Sequence, residues 1–221
     1  MSVPGGPATN GNSLTRRLLI CGAAAGPIYI VLGTVQILVR DGFDMRRHAL
    51  SHLANGELGW IQIANFVLTG MLVLAGATGV RRRLQGSRGG RWGPILLRVY
   101  GACLIAAGVF VADPAPGFPP GSTAPSGMST AGLLHLVSGA VGFYAIIAAC
   151  FVFARRFAAA GRRGWFVYSL LTGAAFLLIF TGVASGSTAA VTLLALYAIV
   201  AWTWIWHAAL SVSLIGAQEA A

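Results

Sequence analysis

His48 and His52 stand four residues apart, with Ser51 between them and Asp44 just ahead. On a helix this spacing turns both imidazoles the same way, so that they can share one metal ion. Imidazole suits zinc, copper, iron and nickel, and a complete site needs a third and a fourth ligand. Asp113 and His135 are the candidates. The expected site is therefore His48, His52, Asp113 and His135 around a transition metal such as zinc. Ser51 would lie beside it as nucleophile or hydrogen-bond partner, and Ser51 and Asp113 are the candidate catalytic residues. A metal-bound water, its pKa lowered by the ion, would supply hydrolytic chemistry. The plainer alternative is that these groups are solvated or paired with Arg40, Arg46 and Arg47, since two histidines four apart recur by chance. His135 weighs most, because a polar side chain inside a membrane span is costly and faces a bundle interior or a water-filled cavity.

The local element expected to carry the pair is a short amphipathic helix over 44–56. Asp44 serves as its N-cap, and Asn55-Gly56 as its stop. Met45, Ala49, Leu50, Leu53 and Ala54 share one half of the wheel, interrupted by Arg46, while His48, Ser51 and His52 fall within an arc of about 100° on the other. Such a helix lies along a membrane surface with its apolar face down.

The frame around it is a membrane protein. The 221 residues are 57% hydrophobic and only 9% charged, against about 25% charged in a soluble domain. Six segments, at about 18–39, 61–80, 94–112, 131–154, 165–184 and 189–215, approach the roughly 20 apolar residues that cross a bilayer. The fold class is all-α: a polytopic six-transmembrane-helix bundle with the short outer amphipathic helix. Residues 16–217 form one membrane domain. Residues 1–15, rich in Gly, Pro, Asn and Ser and without apolar periodicity, read as a disordered tail. The arginine pair at 16 and 17 followed by an apolar run looks like an export signal, but the run continues to Val39 and reads as an uncleaved first span.

All fifteen basic residues are arginine, and the net charge is +10. Eleven of them fall at 16–17, 81–91 and 155–163, in alternate loops, as the positive-inside rule requires. Both termini are thus expected in the cytoplasm of a multi-pass cell-membrane protein. The arginine loops would meet anionic headgroups of the bilayer, and the same alternation excludes nucleic acid as the partner. The opposite loops hold four of the five acids and two of the four histidines, and a third, His135, lies in the fourth span about one turn from that side. His207, on the last span behind Trp202, Trp204 and Trp206, is expected near the cytoplasmic interface within an aromatic belt. Cys21, Cys103 and Cys150 lie within spans without redox spacing and read as small buried hydrophobes.

Gln36, Gln62 and Asn65 either line a cavity or bond between helices. Pro27 and Pro94 lie near helix beginnings, where proline is tolerated. Gly22 and Gly26 form a small-residue motif suited to close helix packing. Gly42-Phe43 and Gly117-Phe118 each open a loop at nearly the same distance from the next arginine cluster, the mark of a faint parallel repeat.

The segment Asp41 to Trp60, with Asp44, His48, Ser51, His52 and Leu53, and the run Asp113-Pro114-Ala115-Pro116-Gly117-Phe118-Pro119-Pro120-Gly121 followed by His135, resemble bacterial domain-of-unknown-function family 998. The resemblance covers about 18 to 215 and implies a six-span membrane fold without assigning an activity. Three functions compete. One is a membrane-embedded lipid hydrolase using the metal site. The second is a non-enzymatic transporter, sensor or accessory subunit. The third, a haem protein, would need facing histidines within the spans, and His135 and His207 sit at opposite depths.

Overall fold

The computed structural model describes residues 7–123, 126–187 and 189–219. Among them are six long helices and no strand: α1 (Pro7–Val39), α2 (Gly59–Arg83), α3 (Trp92–Val109), α4 (Thr130–Ala159), α5 (Arg163–Ala184) and α6 (Ala190–Glu219). All six are long and apolar enough to cross a membrane. The helical bundle has no water to satisfy its backbone groups in hydrocarbon, and helices satisfy them internally.

Short connections make sequence neighbours antiparallel neighbours. Each helix packs on the next, and α6 returns to pack on α1, closing a ring. One end of the ring carries the arginine clusters. The other, the cap end, carries residues 40–58, 110–123 and 126–129 and the α5–α6 turn.

Several helices run past the expected spans on the arginine side, because arginine side chains keep them solvated there. α1 begins at Pro7, so residues 7–15, expected as tail, are helical, and residues 1–6 lie outside the described residues. Pro27 is consequently interior to α1 rather than at its beginning, whereas Pro94 does sit in the first turn of α3. Arg81, Arg82 and Arg83 occupy the last turn of α2, where the helix dipole favours cations.

Glycines set the closest crossings. A side chain on Gly76 would stand 2.6 Å from the Gly22 Cα, and one on Gly26 would meet the Trp204 carbonyl at 3.0 Å. The Gly22/Gly26 pair therefore draws both α2 and α6 against α1. Beside this contact a polar ladder joins α1 to α2. The Gln36 side-chain amide donates to Gln62 Oε1 (2.9 Å), Asn65 Nδ2 donates to the Tyr29 carbonyl (3.3 Å), and Thr69 Oγ1 donates to Asn65 Oδ1 (3.2 Å). Gln36, Gln62 and Asn65 are thus interhelical links rather than cavity lining.

The tryptophans of α6 depart from the expected belt. Trp204 and Trp206 are buried and only Trp202 is half-exposed. Trp206 Nε1 donates to Ser169 Oγ at 3.0 Å and Trp202 Nε1 to Thr172 Oγ1 at 3.1 Å, tying α6 to α5. His207 is buried as well, on the α6 face that meets Gly22.

Candidate functional site

The expected amphipathic α-helix over 44–56 does not form. The chain makes a turn after Asp44 and then a short 3-10 helix, Leu50–Ala54. The reason lies in the side chains of His48 and His52, which compete for backbone groups. The Asp44 amide donates to His48 Nδ1 (3.0 Å) and the Ala49 amide to His52 Nδ1 (3.1 Å). The Ala49 amide, held by the His52 imidazole, is withdrawn from a regular ladder, the same competition by which short polar side chains break helices. Gly56, with φ of 76°, then turns the chain into α2 where a Cβ would press on Pro119 at 3.0 Å.

His48 is 2% exposed. With Nδ1 accepting, the proton sits on Nε2, which donates to the Pro116 carbonyl at 3.1 Å. Both nitrogens are spent on backbone, and the ring joins the two cap loops. Its carbonyl accepts from the Tyr197 hydroxyl at 2.8 Å, adding α6 to the joint. Around it the two Gly-Phe pairs meet: Gly42 and Gly117 both have positive φ, and Phe43 packs edge-on against Phe118 at 5.1 Å. Arg40 completes the cap. Its guanidinium donates to the Leu53 and Asn55 carbonyls (3.1 and 2.6 Å) and lies 5.1 Å over the Phe118 ring. This ion-to-carbonyl clamp escaped the sequence reading, although an arginine directly after an apolar span is its signal.

Asp113 is used differently. One carboxylate oxygen accepts from the Ser129 amide at 2.9 Å, while Ser129 Oγ caps α4 by accepting from the Gly132 amide at 2.9 Å. Hydrogen bonds from the Ser129 side chain and backbone hold the carboxyl below its ordinary pKa. An anion at a helix N-terminus is favourable, so Asp113 fastens the end of α3 to the start of α4.

The expected four-ligand sphere is therefore not assembled. His48 and His52 are neighbours, with ring centroids 6.2 Å apart, but perpendicular. Neither His48 nitrogen is free, and Asp113 is turned toward the start of α4. Among the described residues no group of three His, Cys, Asp or Glu side chains is placed to hold a metal ion.

What the fold does assemble is a partly open cavity of about 220 Å³ in the cap-side half of the ring, with the exposed Leu136 in its wall. It reaches Phe66 on α2, Leu104 on α3, Phe143 on α4 and Phe180 on α5, and Ser51 and His135 lie in its wall. His135 Nδ1 donates to the carbonyls of Ala107 and Phe110 at 3.0 and 2.8 Å. That fixes the tautomer and leaves Nε2 with its lone pair as an acceptor. Tyr29, Tyr100 and Tyr197 also line the cavity. Sequence reasoning passed over these tyrosines; their phenols inside spans, away from the interfaces where tyrosine usually sits, were the available signal. Cys103 lines the wall too, as a free thiol.

No Asp, Glu, Lys or Arg is among the lining residues. His52, just outside, has its pKa pushed down to about 4, first by burial and then by the nearby His48 and His135. The surroundings thus favour neutral imidazole there. An apolar cavity of about 150 Å³ is enough to hold benzene, so this one admits a small molecule or one end of a longer one.

Fold and site together define a polytopic six-helix membrane protein with a hydrogen-bonded cap over a partly open cavity without charged lining. The chain belongs to the family described as Protein of unknown function (DUF998), whose model matches residues 23–213 and so reaches from α1 into α6. No curated protein and no solved structure matches it.

Proposed function

We propose that this protein is a non-enzymatic membrane module, a carrier or sensor, that binds a small uncharged amphiphile in the cavity beneath the cap. The observation that carries this reading is the composition of the cavity wall: apolar side chains with a few hydroxyls and one imidazole acceptor, and no formal charge. Ligand sites are mostly apolar with a small number of placed polar groups. A buried charge without a partner is costly, so a carboxylate or ammonium is a poor occupant and a hydroxyl or carbonyl a good one. The hydrolase reading has less support, because His48 has no nitrogen left for a base or a metal and Asp113 is engaged with the Ser129 amide at the start of α4.

The test uses purified protein in detergent, melted with long-chain alcohols or with carboxylates of equal length. A ligand at about 100 times its Kd stabilises by about 2.7 kcal/mol. The alcohols are expected to raise Tm and the carboxylates to leave it unchanged. Gly139→Phe, which adds a ring where nothing lies within 4 Å of the glycine, is expected to remove the rise. No response to alcohols in the wild type, or an undiminished one in Gly139→Phe, overturns the reading.

The membrane placement proposed with it is the cell membrane, both termini in the cytoplasm and the cap outside. The arginine clusters support it through the positive-inside rule, and they would rest on anionic headgroups. Single cysteines placed at Gly121 and Gly161 in a cysteine-free background should divide cleanly. An impermeant thiol reagent on intact cells is expected to label the first and spare the second, and the reverse pattern refutes the orientation.

A further inference from the structure

A second hollow lies on the other side of the cavity wall. It is a groove of about 360 Å³ between α1 and α6, roofed by Met45 and Leu50 of the cap. Its origin is the crossing of the two helices. At Gly22 and Gly26, α1 has backbone-close contact with α6. Toward the cap end the seam widens, and Ile30, Gly33, Thr34 and Ile37, spaced as one face of α1, look across a gap at Leu194 and Ala198. Thr34, Leu194 and Ala198 are exposed at its rim within membrane-spanning helices, so the groove faces lipid.

Groove and cavity have four lining residues in common: Tyr29, Leu50, Tyr197 and Val200. No other element stands between them at this level. Leu50 opens the 3-10 segment, Tyr29 and Tyr197 stand on the two helices of the seam, and the Tyr197 hydroxyl is held by the His48 carbonyl at 2.8 Å, so these side chains form the partition between the spaces. Like the cavity, the groove has no charged lining residue.

We infer that the α1–α6 seam is a lateral doorway, through which an uncharged single-chain amphiphile enters from the bilayer and leaves its chain in the groove with its polar end in the cavity. This rests on the reading of the cavity as a binding site and names the source of its ligand. Thr34 and the tyrosine hydroxyls offer hydrogen bonds along the way, and an aliphatic chain loses nothing in passing from lipid tails to an apolar groove.

The experiment uses the full chain in phosphatidylcholine vesicles containing a diazirine-bearing long-chain alcohol, with labelled positions read by mass spectrometry over time. Wild type is expected to label in both hollows. Gly33→Phe places a ring beside Leu50, whose Cδ2 lies 3.3 Å from where the Cβ would be, and fills the groove without lining the cavity. Cavity labelling should then slow by about tenfold, a barrier change of about 1.4 kcal/mol. Ala198→Trp fills the groove from α6 and serves where Gly33→Phe fails to fold. Gly139→Phe should abolish cavity labelling and spare the groove. Wild-type labelling rates in the cavity of both groove-filled variants overturn lateral entry while leaving cavity binding intact. An unlabelled cavity in wild type removes the binding reading and the doorway with it.

Discussion

Gly76→Val is expected to lower stability by about 3 kcal/mol or more, the upper part of the range for overpacking. The new Cβ would sit 2.6 Å from the Gly22 Cα and 3.0 Å from its nitrogen. Both are backbone atoms that no rotamer change can move. Withdrawing α1 from α2 would open its contact with α6 as well, because a Cβ at Gly22 lies 3.0 Å from the Gly76 Cα and 2.9 Å from Ser211 Oγ on α6. The strain therefore spreads across three helices of the ring. A thermal melt in detergent followed by tryptophan fluorescence measures it, with Gly139→Ala as the control. Gly139 is a helical glycine with nothing within 4 Å of an added Cβ, and alanine there should be neutral or gain up to about 1 kcal/mol from helix propensity. A Gly76→Val melt close to wild type would show that the α1–α2 crossing is not glycine-limited.

His48→Ala should have the second large effect, about 3 kcal/mol, concentrated in the cap. It removes two part-buried hydrogen bonds at once, from the Asp44 amide and to the Pro116 carbonyl, each worth about 0.5–1.5 kcal/mol. It also removes a ring that packs on Phe43 and Phe118 at 5.5 and 5.7 Å. His52→Ala forfeits the Ala49 amide contact and an edge-on contact with the His48 ring and should cost about 1 kcal/mol. Hydrogen exchange read by mass spectrometry separates the two. In His48→Ala the amides of 44–50 and of 115–122 should exchange faster together, since one imidazole bridges both loops. In His52→Ala the second loop should keep its protection. Equal effects of the two substitutions on 115–122 would mean that His48 is not the bridge between the loops.

Much of the candidate site was legible as residues but not as an arrangement. His48, Ser51, Asp113 and His135 stood out because they are polar groups at or inside spans. Their roles were hidden because hydrogen-bond partners are non-local. Nothing near His48 in the chain announces Pro116, which lies in the other cap loop, and nothing near Asp113 marks Ser129 as its partner. The helical spacing of His48 and His52 suggested a shared face. That inference assumed backbone amides free to make a helix, and the His52 imidazole takes the Ala49 amide itself.

Sequence alone determined the six spans and the alternation of arginine between loops. Each depends on a local property, the cost of placing a given stretch of chain in hydrocarbon or of carrying a guanidinium across it. Tertiary structure alone decided that the helices close into a ring, that Trp204 and Trp206 turn inward, and that Tyr29, Tyr100, Tyr197 and His135 surround one uncharged cavity. Those outcomes depend on which helix meets which. In this chain that is fixed by backbone contacts such as Gly22 on Gly76 and Gly26 on Trp204, which acquire meaning only once distant segments touch.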